Sequence, residues 1–138
     1  LILLNHRKDF VDHLRATMPD VVRSFYRKLK PTARYWGDKN PHYAALANKG
    51  CLNLIRDLFP GTRFLHIIRD GRAVVVSRHP NDPSRYHVPP ERWVADTRAG
   101  VAACAHPQAM QLRYEDLVTD TRAVLLRICA FIGGLEST

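Results

Sequence analysis

The chain has 138 residues, of which 46% are hydrophobic, so it is long enough to form one domain with a buried core. Its 21 Lys and Arg against 13 Asp and Glu give a net charge of +8, which favours an anionic partner. The basic residues are scattered in ones and twos. This spacing speaks against a nucleic-acid-binding module, which needs a contiguous basic stripe with exposed aromatic residues.

The cysteines and the opening residues bear on metal binding and on location. Cys51, Cys104 and Cys129 stand far apart without a CxxC pair, and the histidines show no metal-ligand spacing. We therefore expect no metal and a reduced, cytoplasmic protein. The opening run Leu1-Ile2-Leu3-Leu4 is too short for a signal peptide or a membrane span, so no membrane span is expected.

The first part of the chain predicts helices around one short strand. Residues Lys8 to Lys30 predict one or two helices, because apolar residues recur at helical spacing and Pro19 should break the pattern. Ala33 to Lys39 predicts a short strand that leads into a turn. A second helix should begin at Asn40-Pro41, which supplies an N-cap and a first-turn proline, and end at Pro60-Gly61. Its expected apolar face is Ala47, Cys51, Leu54, Ile55 and Leu58.

The middle of the chain contains one ambiguous turn. The apolar run from Arg63 to Arg69 predicts a buried strand. Asp70-Gly71 could then begin a hairpin whose second strand is Val74-Val75-Val76, or a short helix capped by the aspartate. The hairpin would place Arg72 opposite the arginine that ends the strand, where like charges are destabilising. We therefore favour a helix over Ala73 to Ser77.

The remaining elements complete an alternating pattern. His79 to Pro90 holds four of the nine prolines and predicts a long loop. Glu91 to Ala105 predicts a helix, Ala109 to Tyr114 a strand, Glu115 to Thr119 a connection, and Asp120 the cap of a last helix that ends at Gly133-Gly134. Alternation of strands and helices indicates an α/β fold with a parallel sheet, in which ligands bind at the carboxyl ends of the strands.

Polar clusters follow three of these predicted strands. They are Asp38-Lys39-Asn40-Pro41, then Arg69-Asp70-Gly71-Arg72 with Ser77, and Arg113-Tyr114-Glu115-Asp116. In the second cluster a guanidinium leaves the sheet beside a helix amino terminus, which favours a phosphate, and Ser77 could donate its hydroxyl. The competing interpretation is that Arg69 pairs with Asp116 or Asp70 while Ser77 faces solvent. The residues alone favour neither interpretation over the other.

Several other residues have structural interpretations. Trp36 and Trp93 are expected in the core rather than against a ligand. Glu115 and Asp116 are expected to cap or to pair rather than to act as a base. For Arg72 we expect a structural ion pair, with Asp116 as the candidate partner.

The stretch from Leu58 to Ser77 resembles the 3′-phosphate-binding segment of sulfotransferases that use 3′-phosphoadenosine 5′-phosphosulfate (PAPS). Upstream, Asp38-Lys39-Asn40-Pro41 is similar to a motif of tyrosylprotein sulfotransferases and bacterial relatives. Downstream, Arg113-Tyr114-Glu115-Asp116-Leu117 is similar to the family's Tyr-Glu-Asp-Leu stretch. The three motifs occur in the family's order, and the resemblance spans roughly Tyr35 to Gly134.

The resemblance implies a role for four residues. Arg69 and Ser77 would hold the 3′-phosphate of PAPS, and Tyr114 would contact the adenine region. Lys39 matches a family lysine near the transferring sulfuryl group, where a fixed positive charge stabilises the leaving bridging oxygen. The resemblance also implies a P-loop-like α/β fold and sulfuryl transfer to a hydroxyl or amine acceptor without a metal.

One family motif has no match. Nothing in the chain resembles the Gly-rich loop of Pro-Arg-Ser-Gly-Thr type that cradles the 5′-phosphosulfate, and the general base commonly lies on or beyond that loop. We therefore expect the carboxyl-terminal part of one sulfotransferase domain, incomplete at its amino terminus, with residues 1–34 as a helical segment and 35–138 as the 3′-phosphate-binding part. The alternative is a P-loop nucleotide kinase relative, which requires a Walker-type loop.

Overall fold

A 23-residue helix, α1 (Arg7–Leu29), opens the part of the chain that the computed structural model describes, which is residues 7–43, 46 and 50–133. The helix is continuous through Pro19, so the expected break there is wrong. Proline removes one backbone donor and crowds the carbonyl four residues earlier. About three turns of uninterrupted helix on each side of Pro19 keep the helix continuous despite the missing hydrogen bond.

The strand expected at Ala33 to Lys39 is wrong. Residues 35–40 have no regular structure, and none of the strands in the described part of the chain pairs with them. A strand needs a neighbour to satisfy its backbone groups, and this segment is instead held by its side chains. Trp36 stacks on Tyr26 of α1 with ring centroids 4.2 Å apart, and it meets the edge of Phe59 at 5.8 Å.

The helix predicted between Asn40 and Pro60 is interrupted at Gly50. Asn40 caps the first turn as expected, because its Oδ1 atom accepts a hydrogen bond of 2.9 Å from the His42 N–H. Gly50 then adopts a left-handed φ of 75°, and helix α2 (Cys51–Leu58) begins only after it. Glycine adopts this conformation without the Cβ penalty of other residues. The helix ends before Pro60-Gly61 as predicted, while Ala47 of the predicted apolar face lies outside the described residues.

The ambiguous turn resolves into strand and helix. Strand β1 (Phe64–Ile68) ends where its apolar run predicts, and Asp70 caps helix α3 (Gly71–Val75) by accepting the Arg72 N–H at 2.8 Å. The prediction of a capped helix is thereby confirmed over the hairpin. However, α3 ends two residues before Ser77, because a run of β-branched valines is a poor helix former.

A small hairpin occupies most of the stretch predicted to be a loop. Strands β2 (Arg78–His79) and β3 (Asp82–Tyr86) pair antiparallel around a turn at Pro80-Asn81. The loop prediction for His79 to Pro90 is therefore wrong over this part. Proline is tolerated in an edge strand, where its missing N–H leaves no partner unsatisfied, and Pro83 lies in β3 of this two-stranded sheet.

Helix α4 (Pro90–Ala103) confirms the helix predicted at Glu91 to Ala105 and packs on the elements before it. A Cβ at Gly100 would overlap the imidazole of His66, so the glycine lets α4 cross β1 at close range. Near the start of α4, the half-buried ring of Trp93 lies against Gly71, where an added Cβ would be only 3.0 Å from ring atoms. Through these two contacts, α4 packs directly against both α3 and β1.

Strand β4 (Ala109–Arg113) completes the sheet as predicted. It pairs in parallel with β1, in a register that runs from Phe64 opposite Ala109 to Ile68 opposite Arg113. Leu112 of β4 is only 3% exposed and belongs to the core. The fold is therefore α/β, with a parallel pair of strands flanked by helices, and both strands end at the same edge of the sheet.

Two helices follow β4. Residues Glu115 to Thr119, predicted to be a connection, instead form helix α5 (Tyr114–Thr119), because two acidic residues occupy its first turn and favour a helix amino terminus. Asp120 then caps α6 (Thr121–Ile132) through the Ala123 N–H at 3.2 Å, as predicted. Gly133 ends α6 with a φ of 121°, and Gly134 lies outside the described residues.

Candidate functional site

The parallel pairing brings two of the three polar clusters together. Ile68 and Arg113 are register partners at the ends of β1 and β4, so the residues that follow them are neighbours. The guanidinium carbon of Arg69 lies 5.0 Å from the centroid of the Tyr114 ring. A guanidinium at this distance over an aromatic face is attracted by the ring quadrupole. The second and third polar clusters therefore lie side by side at the carboxyl edge of the parallel pair of strands.

A hydrogen bond joins the same two strand ends through the backbone. The Asp70 N–H donates to Glu115 Oε1 at 2.7 Å, and Glu115 Oε2 lies 3.5 Å from Arg113 Nε. The bond from Asp70 lowers the pKa of Glu115 below its usual value, and the Arg113 guanidinium adds to the lowering. The predicted structural role of Glu115 is confirmed, but its partner, 45 residues away, could not be found from the sequence.

Asp70 and Arg72 form a close pair within the turn itself. Arg72 Nη2 lies 2.7 Å from Asp70 Oδ2, and Arg72 Nε lies 3.2 Å from Asp70 Oδ1. Hydrogen bonds from the Arg72 side chain and then its backbone N–H lower the pKa of Asp70 to about 2. The expected pairing of Arg72 with Asp116 is wrong, because Asp70 is only two residues away and already faces the start of the helix.

These pairings leave the Arg69 guanidinium exposed and without a carboxylate. Within the described residues it forms no ion pair, so neither Asp70 nor Asp116 takes the role that the competing interpretation gave them. The Arg72 N–H, one of the backbone donors at this helix amino terminus, already donates to Asp70 Oδ1. Among the described residues at this edge, Arg69 is therefore the arginine whose side chain is left for a ligand.

The Ser77 hydroxyl is half-buried rather than turned to solvent. It donates a hydrogen bond of 2.9 Å to the Ala73 carbonyl, one turn earlier on α3. The hydroxyl rotates freely about its C–O bond, so the same proton could instead be directed to a stronger acceptor. A phosphate oxygen would be such an acceptor, because hydrogen bonds to charged groups are shorter and stronger.

The first cluster lies apart from this contact network. Lys39 is exposed on the irregular segment, and no hydrogen bond or ion pair joins it to the strand-end residues in the described chain. Its neighbour Asp38 accepts a hydrogen bond of 2.7 Å from the Tyr43 hydroxyl, which raises the pKa of Tyr43 to about 12. Asp38 and Tyr43 thus hold the backbone on both sides of Lys39.

Two further properties concern metals and membranes. No group of three or more His, Cys, Asp or Glu residues that could hold a metal ion occurs in residues 7–43, 46 and 50–133. Over the same residues, each helix is too short or too polar to cross a bilayer.

The chain is similar to a known protein family. A family model described as "Sulfotransferase family" matches residues 4–136. The match includes all three polar clusters and nearly the whole length of the chain. Neither a curated protein nor a solved structure matches it.

Proposed function

The chain belongs to the sulfotransferase family, and on that premise we propose that it takes part in transferring the sulfuryl group of PAPS to a hydroxyl or amine acceptor. In this proposal residues 35–138 supply the side of the site that binds the 3′-phosphate and adenine, and residues 1–34 form a helical segment of the same domain. The reaction uses no metal and takes place in the cytoplasm.

The unpaired state of Arg69 carries the proposal. Three arginines and three carboxylates follow the ends of β1 and β4. Two of the carboxylates, Asp70 and Glu115, have a cationic neighbour, and in the described residues the third, Asp116, forms no ion pair with Arg69. Asp70 is bound by Arg72, and Glu115 is near Arg113, so neither is directed to Arg69. An exposed guanidinium over an aromatic ring is suited to a bidentate contact with a phosphate.

Ser77 and Tyr114 complete the nucleotide side of the proposed site. Ser77 would redirect its hydroxyl from the Ala73 carbonyl to a 3′-phosphate oxygen. Tyr114 is 41% exposed, so part of its ring surface remains available to the adenine while Arg69 covers another part.

Lys39 is the proposed catalytic residue. The acceptor oxygen or nitrogen attacks sulfur in line, the bond from sulfur to the bridging phosphate oxygen breaks, and 3′-phosphoadenosine 5′-phosphate (PAP) leaves. The acceptor's proton goes to a base or to solvent. The Lys39 ammonium would stabilise the negative charge that develops on the bridging oxygen.

The proposed reaction is tested by measuring PAP release from PAPS in the full-length protein with hydroxyl and amine acceptors. Wild type should release PAP only when an acceptor is present. Lys39→Ala should lower kcat by about 10²- to 10³-fold while leaving PAP affinity nearly unchanged, and Lys39→Arg should retain more of the rate. Acceptor-dependent release that is unaffected by Lys39→Ala would remove the catalytic assignment. The absence of both PAPS turnover and PAP binding would overturn the proposed function.

A further inference from the structure

We propose that Tyr114 and Glu115 are positioning residues that hold Arg69 in its phosphate-binding orientation. We call Arg69, Asp70, Tyr114 and Glu115 the strand-end latch, because the last two residues follow β4 and restrain the first two, which follow β1. The inference rests on the proposed role of Arg69 in binding the 3′-phosphate.

The first contact of the latch acts on the side chain. An exposed arginine without an ion pair samples many rotamers, and a binding site loses affinity when those rotamers must be ordered by the ligand. The Tyr114 ring lies under the Arg69 guanidinium, with 5.0 Å between the guanidinium carbon and the ring centroid. The ring thereby favours one orientation of the cation without neutralising its charge, which a carboxylate would do.

The second contact acts on the backbone. The Asp70 N–H belongs to the peptide group that directly follows Arg69, and it donates to Glu115 Oε1 at 2.7 Å. This bond holds the plane of that peptide group and so restrains the backbone conformation of Arg69. Because its acceptor is charged, it is stronger than a bond between neutral groups.

The two contacts come from consecutive residues. Tyr114 and Glu115 form the first turn of α5, which begins directly after β4, so their separation from β1 is set by the parallel register. A carboxylate on the residue next to Tyr114 could compete with a ligand for the Arg69 guanidinium. Glu115 instead directs its oxygens to the Asp70 N–H and towards Arg113, and Arg69 remains available.

The Tyr114 contact is tested by removing the aromatic ring or only its hydroxyl. Tyr114→Leu should weaken PAP binding about two- to five-fold, the contribution of an exposed cation–π contact, whereas Tyr114→Phe should bind as wild type. Because the ring is also proposed to contact the adenine, Tyr114→Leu should weaken binding of adenosine 5′-phosphate, which lacks the 3′-phosphate, as well, but by a smaller factor than PAP. Equal losses for both nucleotides in Tyr114→Leu would show an adenine contact alone and overturn this half of the latch.

Replacing Glu115 has two effects on PAP affinity, one through charge and one through the position of Arg69, and they act in opposite directions. Removing a negative charge near an anion site should by itself strengthen PAP binding. The latch predicts that Glu115→Ala weakens it about two- to ten-fold, because the Asp70 N–H loses its acceptor, while Glu115→Gln retains an acceptor and binds at least as well as wild type. The matched control is Asp116→Ala, which removes a neighbouring exposed carboxylate that makes no side-chain hydrogen bond in the described chain. Equal or tighter binding by Glu115→Ala would overturn the backbone contact.

A mutant cycle with Arg69→Ala separates the latch from the proposed function. If Arg69→Ala leaves PAP affinity unchanged, the proposed function fails. If Arg69→Ala weakens PAP binding, the latch predicts that in that background Glu115→Ala adds little and Tyr114→Leu adds only the loss of its adenine contact, since there is no guanidinium left to position. Full additivity would overturn the latch while leaving the role of Arg69 intact. If the larger truncations do not fold, Tyr114→Phe and Glu115→Gln, with matched thermal unfolding midpoints, still test the latch, because weaker PAP binding by either would contradict it.

Discussion

The imidazole ring of His66 on β1 fills the space that a Cβ on Gly100 of α4 would need. Gly100 is buried, and the strand and helix meet at this point over the sheet that carries the candidate site. The contact therefore sets how closely α4 covers the strand that ends at Arg69.

Gly100→Ala should destabilise the fold through this contact. Overpacking costs about 1–3 kcal/mol, and the higher helix propensity of alanine offsets about 1 kcal/mol, so we expect a net loss of up to about 2 kcal/mol. In a His66→Ala background the same change should stabilise by about 1 kcal/mol, since the obstruction is gone. Denaturant unfolding of the four proteins measures this cycle. The same effect of Gly100→Ala in both backgrounds would contradict the packing account.

His66 should also make stability depend on pH. Burial lowers the pKa of the imidazole from its usual value of 6.5, so below that pH the unfolded chain binds this proton more readily than the folded chain. Stability from this group is fully present above pH 6.5 and is lost as the pH falls through the lower folded-state pKa. His66→Asn should therefore lose less stability than wild type between pH 7.5 and about 5.5. Parallel losses in urea unfolding would show that His66 is not the group responsible.

The sheet could be predicted from the sequence, but several contacts could not. The apolar runs predict β1 and β4 because buried parallel strands carry continuous hydrophobic residues. The strand at Ala33 to Lys39 fails because a strand depends on a partner, and the hairpin at 78–86 was missed because four prolines suggested a loop. The bond between Asp70 and Glu115 depends on the register of β1 against β4, which no local pattern specifies.

Arg72 should preserve PAP affinity indirectly, because its ion pair with Asp70 keeps that carboxylate from attracting Arg69. Arg72→Ala leaves the Asp70 carboxylate free to attract Arg69, so PAP affinity should fall by up to about five-fold, the size of an exposed ion-pair effect. Adding Asp70→Asn should restore affinity, because asparagine is uncharged and still caps a helix. Calorimetry on the three proteins gives the comparison. A loss that Asp70→Asn does not restore would indicate that Arg72 touches the phosphate itself.

The hairpin that follows Ser77 should contribute to the acceptor entrance. Tyr86 lies opposite Arg78 across the hairpin, and the Arg78 guanidinium carbon is 4.3 Å from the centroid of its ring. Tyr86 is still 58% exposed, so the rest of its ring is available to an acceptor. If the acceptor buries that ring, Tyr86→Ala should raise acceptor KM by roughly ten-fold and leave PAPS affinity unchanged. Phe25→Ala, which removes a similarly exposed ring on α1, is the control and should change neither. Equal losses for acceptor and PAPS would argue for a structural role.

The central claim is that Arg69 binds the 3′-phosphate, and a calorimetric comparison of two proteins with two nucleotides tests it most directly. Loss of a charge-assisted contact costs about 1.5 to 3 kcal/mol, so Arg69→Ala should weaken PAP binding roughly ten-fold to more than a hundred-fold. Ser77→Ala should weaken it less. Adenosine 5′-phosphate should bind wild type weakly and show little further loss in Arg69→Ala, because the deleted side chain has no phosphate to contact. Unchanged PAP affinity in a folded Arg69→Ala protein, or equal losses for the two nucleotides, would contradict the account.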